Sequence, residues 1–498
     1  MMIGGASDGW SSPNDPDNPF NWTPLRKWFV TGLGLLASFE TLINGTIITV
    51  AHEAINDQFN VSDAHFPHSY WPVTSWGLGG ATFSLIVLPI MEDFGIRWVF
   101  LAIYLCFLCF LVPQAVAQNF ATLIVTRFFS GGCVAILANT VAGVIGNIWS
   151  GERARTLPIS LYITIYMASS SMGPVLGAAI FQHLSWRWIG YIELIWTGVL
   201  FPVFLLAFPE TRASVIQGQR ARKADHSTDD TEVKPTPGTG ETAKLLMRLS
   251  DSIKRPIMML FTESVVFVAT LWSAFSLGTI YVFTQSAEQV FNGLYGWNAT
   301  QAGYIQAAIV VGELIGFVIC LICNRWYFAS ATRNQEIPGE PIPEARLYAA
   351  VIGGLLGNTG GMLIYAWTAY PSLPFIAPAI GLAMVGMGSN AVVISIVTYL
   401  LDAYAHLASS AIAAVGLGEN LFLAILPLAT QSIYNTLGYH WASFLLGMIS
   451  FLLALIPFVM FRWGTEIRAR SPLLQEARTM TAAMSGEEKE MSEAHKST

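Results

Sequence analysis

Residues 217–244 read QGQRARKADHSTDDTEVKPTPGTGETAK. Ten of these 28 residues are charged, against 11% of the whole chain. A stretch so poor in apolar side chains cannot bury enough surface to fold by itself. It reads as a linker, largely disordered, with a surface helix expected near KLLMRLSDSIK at 244–254. The sequence on either side has the opposite character, and that contrast organises the chain.

The 498 residues are 53% hydrophobic, with a mean hydropathy of +0.52. Soluble domains carry about 25% Asp, Glu, Lys and Arg. The shortfall leaves too little polar surface for a water-soluble globule and points to an integral membrane protein. A span needs about 20 mostly apolar residues. Twelve such runs fall at approximately 28–50, 70–90, 97–117, 121–146, 157–180, 187–208, 262–286, 300–323, 346–368, 374–401, 407–431 and 440–461. Backbone groups in lipid must bond within their own segment, so all twelve are expected to be helices. The fold class that follows is an all-α polytopic membrane protein, two six-helix bundles covering 28–208 and 257–461. A tail over 1–27, the linker 209–256 and a tail over 462–498 complete the chain.

Charge placement sets the orientation. Of 25 Lys and Arg, 23 fall in the two tails, the linker and the 2–3, 4–5 and 8–9 connections. The 1–2, 3–4, 7–8, 9–10 and 11–12 loops have none. By the positive-inside rule both tails and the linker are expected in the cytoplasm. Residues 1–27 lack the apolar core and cleavage site of a signal peptide, so span one is expected to direct insertion. Of the two remaining cations, Arg187 stands at the outer end of span six, and Arg127 lies about two turns into span four.

Inside span five, residues 168–180 read ASSSMGPVLGAAI. Small residues let membrane helices approach closely, and Ser169, Gly173 and Gly177 share one face. Pro174 removes a backbone donor and kinks the helix, so its freed carbonyl needs a partner from a neighbouring helix. That is either ordinary packing or a hinge between moving halves.

Six spans, a long linker and six more resemble the major facilitator superfamily. Gly173, Pro174 and Gly177 match its span-five antiporter run G-P-x-x-G. Leu123, Arg127 and Gly131 match its span-four pattern. In the 2–3 loop, LPIMEDFGIR, Gly95 and Arg97 match a motif that locks one conformation and Glu92 takes its Asp position, while Leu88 and Asp93 depart from it. NPFNW, NIWSGERAR, SWRWIGYIE, FPETR, RPIMMLFTE and PEARLYAA resemble the fungal twelve-span drug:proton antiporters. The resemblance implies a proton-coupled exporter of a drug, secondary metabolite or organic acid. It implies a proton gradient as energy source, no cofactor, a small-molecule substrate and a single chain as the working unit. It also implies a multi-pass protein of the cell membrane or an internal membrane such as the vacuole's.

Ionisable residues deep in spans are costly and are expected to face a cavity. Arg127 either bonds carbonyls at a helix junction or exchanges partners as protons bind. Glu40, Glu313 and Glu419 lie deep in spans one, eight and eleven; Glu193 lies in span six. A carboxyl buried in apolar surroundings keeps its proton to higher pH, as proton coupling requires. Glu263 and Glu288 lie near span ends and read as structural. Asn44, Tyr166, Tyr281, Gln285 and Asn390 are candidates to shape a central cavity, or else to bond a neighbouring backbone.

Other patterns are set aside. The pairs CFLC and CLIC sit in apolar helices without a histidine and read as packing residues. GLGLLA and GMGSNA have no preceding strand and are not nucleotide sites; with no Walker motif, ATP is not the fuel. No nucleic acid is expected as a partner. His52, His65 and His68 read as solvated loop residues, with no metal expected. Asn60 and Asn298 head acceptor sequons on the outer side and are expected to carry glycans. Two rivals remain: a proton-coupled importer on the same fold, and a membrane receptor or enzyme, for which no catalytic constellation is visible.

Overall fold

The computed structural model describes residues 10, 12, 14–63, 68–225, 253–334, 339–404, 407–471 and 473, with backbone alone over 86–94 and 222–225. Among them there is no strand. In chain order the helices are α1 (Pro24–Ile43), α2 (His52–Phe59), α3 (Trp71–Phe94), α4 (Ile96–Ala115), α5 (Phe120–Ile148), α6 (Glu152–Phe181), α7 (Arg187–Ala207) and α8 (Ala213–Asp225). They continue with α9 (253–262), α10 (Ser264–Tyr295), α11 (Ala299–Ile305), α12 (Ala307–Ala329), α13 (Tyr348–Ile352), α14 (Gly360–Thr368), α15 (Ile376–Tyr404), α16 (Ala408–Ala454) and α17 (Ile456–Arg470). A π-helical turn, Gly353–Thr359, joins α13 to α14.

Local chemistry starts these helices. Pro24 occupies the first turn of α1, where its missing N–H costs nothing, and Thr23 caps it. Asn119 caps α5 through the Thr122 N–H at 2.8 Å. Asn298 and Gln301 form a reciprocal capping box on α11.

Nine helical stretches of the described residues are long and apolar enough to cross a membrane. One of them, Ala408–Arg470, runs for 63 residues. At about 1.5 Å per residue that is some three times the ~30 Å hydrocarbon core. It is broken at Gly438, whose φ of 77° leaves the helical region. Helix α1 lies outside the nine.

Small residues hold the helices close. A Cβ on Gly131 of α5 would run into the Trp76 main chain of α3, and one on Gly312 of α12 into the Ala383 carbonyl of α15. The same close crossing thus recurs once on each side of the linker. Across the linker, α3 packs on α16 and α6 on α12.

The linker differs from expectation over its first part. Residues Ala213–Asp225 are helical, not disordered. Their anchor is distant in sequence: Arg220 meets Asp15 at 2.7 and 2.9 Å, pairs also with Asp17, and stands 5.5 Å from the Trp10 ring. These carboxylates hold the Arg220 guanidinium's pKa above its usual range. Most of KLLMRLSDSIK lies outside the described residues; its last two residues begin α9.

Candidate functional site

Helix α1 stops at Ile43, and residues 44–48 turn out of it. The last carbonyls of a helix have no partner within it and form its negative end. Arg127 of α5 fills that gap. Its guanidinium donates to the carbonyls of Asn44, Gly45 (2.6 Å) and Pro72 (3.2 Å), and its side chain is fully buried. The carbonyl-bonding geometry weighed for Arg127 is therefore present. Asn44 carries the contact onward. Its amide donates to Glu193 of α7 at 3.0 Å, and its side-chain oxygen accepts from Trp76 of α3 at 3.1 Å.

The span-five serines divide into three tasks. Ser169 bonds back to Ile165 of its own helix. Ser170 uses its carbonyl to accept the Thr46 hydroxyl at 2.6 Å, and its own hydroxyl accepts from Tyr281 of α10 at 3.2 Å. Ser171 donates to Glu313 of α12 at 2.7 Å. The Ser170 carbonyl is the acceptor four residues before Pro174, the one the proline leaves without a helical donor. Span one supplies the replacement. A Cβ at Gly173 would lie 2.9 Å from the Ile47 nitrogen, and one at Gly177 would meet the Ile47 carbonyl. Glycine is therefore what lets α6 approach the end of α1.

Glu313 is fully buried, and its second carboxyl oxygen has no hydrogen-bond partner among the described residues. Asn390 of α15 donates to the Glu313 carbonyl at 2.6 Å and to Thr164 of α6 at 3.1 Å. Glu419 of α16 accepts from Ser273 of α10 and stands near Tyr162 and Tyr166 of α6. Gln285 is buried on α10, facing the Tyr70 hydroxyl. Glu313, Glu419, Tyr281 and Asn390 thus gather against α6, between the two sequence halves. Glu40 is elsewhere. It accepts from Tyr104 of α4 and from Thr197 of α7 at 3.2 Å, inside the first bundle.

The 2–3 loop turns at Gly95, whose φ is 88°. Glu210, from FPETR, accepts the N–H groups of Ile96 (3.3 Å) and Arg97 (3.0 Å), placing a carboxylate at the start of α4. Arg97 donates to the Leu205 carbonyl at 3.1 Å. The Glu92 side chain lies outside the described residues. Of the sequon heads, Asn60 is exposed at the end of α2 with φ 54°; Asn298 is exposed while its side-chain oxygen caps α11.

One cluster was absent from the sequence reading. Arg346, nearly buried before α13, donates to Asp402 of α15 at 2.7 Å and to Glu152 of α6 at 2.9 Å. Tyr327 of α12 lies 3.6 Å beneath the guanidinium and donates to Asp402 at 3.0 Å. Asn324 accepts from Arg346 at 3.1 Å. The signal was present in NIWSGERAR and PEARLYAA, quoted above only for likeness. This cluster ties the halves at one end, and His52 of α2 meets Glu288 of α10 at 3.4 Å at the other. The His52 environment departs from the solvated loop expected: it opens a helix and is partly buried. His65 lies outside the described residues, and His68 faces Trp71 at 3.3 Å. A small pocket lies beside His52 and another beside Arg346. Neither is large enough for a drug-sized ligand. The halves therefore touch at both ends and in the middle.

Known proteins share this architecture. The chain resembles efflux pump atB of Aspergillus terreus, 34% identical over 397 residues, 78% of this chain and 81% of that protein. The multidrug transporter mdrA of Aspergillus fumigatus is 28% identical over 457 residues, 92% of this chain and 74% of that one. The solved proton:xylose symporter XylE covers 89% of this chain and 96% of its own, with a TM-score of 0.62 at 14% identity, a likeness of fold. These relatives are transporters, not enzymes. The model of the Major Facilitator Superfamily matches residues 33–409, and with these relatives it shows that the chain belongs to that superfamily, a multi-pass membrane transporter of small molecules.

Proposed function

We propose that the chain exports a small organic compound, a drug, secondary metabolite or organic acid, in exchange for protons. Twelve spans in two halves of six, with both tails in the cytoplasm, alternate access to a midplane site. A single chain is the working unit. Export is supported by the names of the fungal relatives, an efflux pump and a multidrug transporter.

The observation that carries proton coupling is the Ser171–Glu313 hydrogen bond of 2.7 Å between α6 and α12. As a carboxylate, Glu313 accepts from Ser171 in a charge-assisted bond. Such bonds are roughly twice as strong as neutral ones. Once protonated, the carboxyl becomes a donor on one oxygen and the contact weakens. A proton then has different free energies in states where α6 and α12 touch and where they part, as coupling requires. Glu419 of α16, bonded to Ser273 of α10 and near Tyr162 and Tyr166 of α6, is the second candidate carrier.

The direct test is purified protein in lipid vesicles with an imposed pH gradient. Substrate moving against the proton flow is the expected result. Movement with the protons would establish import.

A further inference from the structure

Glu288 of α10 lies at the end of the bundle away from the Arg346 cluster, with its side chain 13% exposed. Its ionic partner is a histidine, His52 of α2, whose Nδ1 is 3.4 Å from Glu288 Oε2 and 3.0 Å from the Thr49 carbonyl. Glu53, next in sequence and exposed, brings a second carboxylate. One ligand atom from each of His52, Glu53 and Glu288 lies within 4.8 Å of the other two.

Further observations accompany this cluster. The chain has no Lys or Arg between Lys27 and Arg97, or between Arg255 and Arg325, so neither contributing segment supplies a basic counter-charge. Gln285, one turn before Glu288 on α10, is fully buried, with its amide beside the Tyr70 hydroxyl. The carboxylates of Glu288, Asp63 and Glu53 lie in the neighbourhood of Tyr70, whose ring centroid stands 5.6 Å from that of His52. Finally, a small pocket is lined by His52, Thr49, Ser69 and Tyr70.

We propose that His52, Glu53 and Glu288 form a binding site for a divalent first-row cation, zinc foremost, which clamps α2 to α10. One imidazole and two carboxylates are zinc ligands, and water completes the tetrahedron. Magnesium demands an octahedron of oxygens and is disfavoured by the imidazole. Ligand atoms around one zinc ion stand roughly 3–3.5 Å apart, closer than the 4.8 Å within which these three lie, and the exposed Glu53 is the one placed to draw in. Because the ligands come from both halves, an ion held here favours the arrangement in which this mouth is shut.

The test needs no substrate and does not depend on the direction of transport. Tag-free, full-length protein in detergent is titrated with ZnCl2 or MgCl2 while its thermal unfolding is followed. Zinc is expected to raise Tm and magnesium to leave it unchanged. His52→Ala and Glu288→Gln each weaken the apparent zinc affinity at least about tenfold, and Glu53→Gln weakens it severalfold. Glu53 is exposed, so its variant folds even if the other two do not. No zinc effect, an equal magnesium effect, or a zinc effect untouched by Glu53→Gln and His52→Ala (an adventitious ion only) would overturn the site.

Discussion

Thr46 donates its hydroxyl to the Ser170 carbonyl at 2.6 Å, the acceptor that Pro174 deprives of its helical donor. One threonine at the end of α1 thereby makes a proline tolerable in the middle of α6. The bond also ties this part of α6 to the first bundle, while the Ser170 side chain accepts from Tyr281 of the second. A double-mutant cycle checks this dependence. Thr46→Val leaves a buried carbonyl unpaired and is expected to cost about 1–3 kcal/mol. In a Pro174→Ala background the helix supplies its own donor, so the same Thr46→Val change is expected to cost less. Thermal unfolding of the four proteins measures the coupling; equal costs in both backgrounds would remove the link.

Arg127 reaches three carbonyls from one planar fork. Lysine offers a point charge on a flexible stem and cannot match that geometry. Arg127→Lys is therefore expected to unfold at lower temperature than the wild type. Arg127→Ala, which strips three buried acceptors, is expected to lose about 3 kcal/mol or more. If Arg127→Lys kept full stability and only transport fell, the guanidinium would be a coupling group and not a cap.

Arg346 pins α6 to α15 through Glu152 and Asp402. Removing one member of a buried ion pair leaves the others uncompensated. Arg346→Ala is expected to open this end of the bundle and expose Cys323, which is buried and lines the cavity beside Arg346. Labelling by a membrane-impermeant maleimide, in a Cys106→Ser/Cys109→Ser background, reads the opening. Unchanged labelling would mean the cluster holds no gate.

Glu40 bonds only within the first bundle, to Tyr104 and Thr197. Glu40→Gln is thus expected to lower thermal stability while leaving gradient-driven transport within about twofold, since no contact that changes between states is lost. Loss of transport at unchanged stability would move Glu40 into the coupling machinery.

The membrane class, the helical fold and the family were legible because they rest on composition, hydropathy and local motifs. The demand that a neighbour satisfy the carbonyl freed by Pro174 was legible too, because it follows from backbone chemistry. Its partner was not: Thr46 and Ser170 are 124 residues apart, and only packing decides which helix faces which. The same limit explains Glu40, whose depth in its span was readable but whose azimuth toward α4 and α7 was not. Arg346 was counted only as a cation that orients the chain and Glu152 was quoted only within NIWSGERAR, since nothing local pairs residues 194 apart. Helix α8 escaped for a similar reason, its anchor being Asp15 and Asp17 at the other end of the first half.

Gradient-driven and gradient-free transport by Glu313→Gln vesicles test the central claim most directly. The probe is the compound that distinguishes cells with and without the protein when metabolites inside and outside are compared. Glutamine keeps the size and the Ser171 contact but cannot take up a proton. The result expected is that uphill movement driven by a pH gradient disappears while substrate–substrate exchange without a gradient persists. Uphill movement at the wild-type rate would contradict proton loading at Glu313.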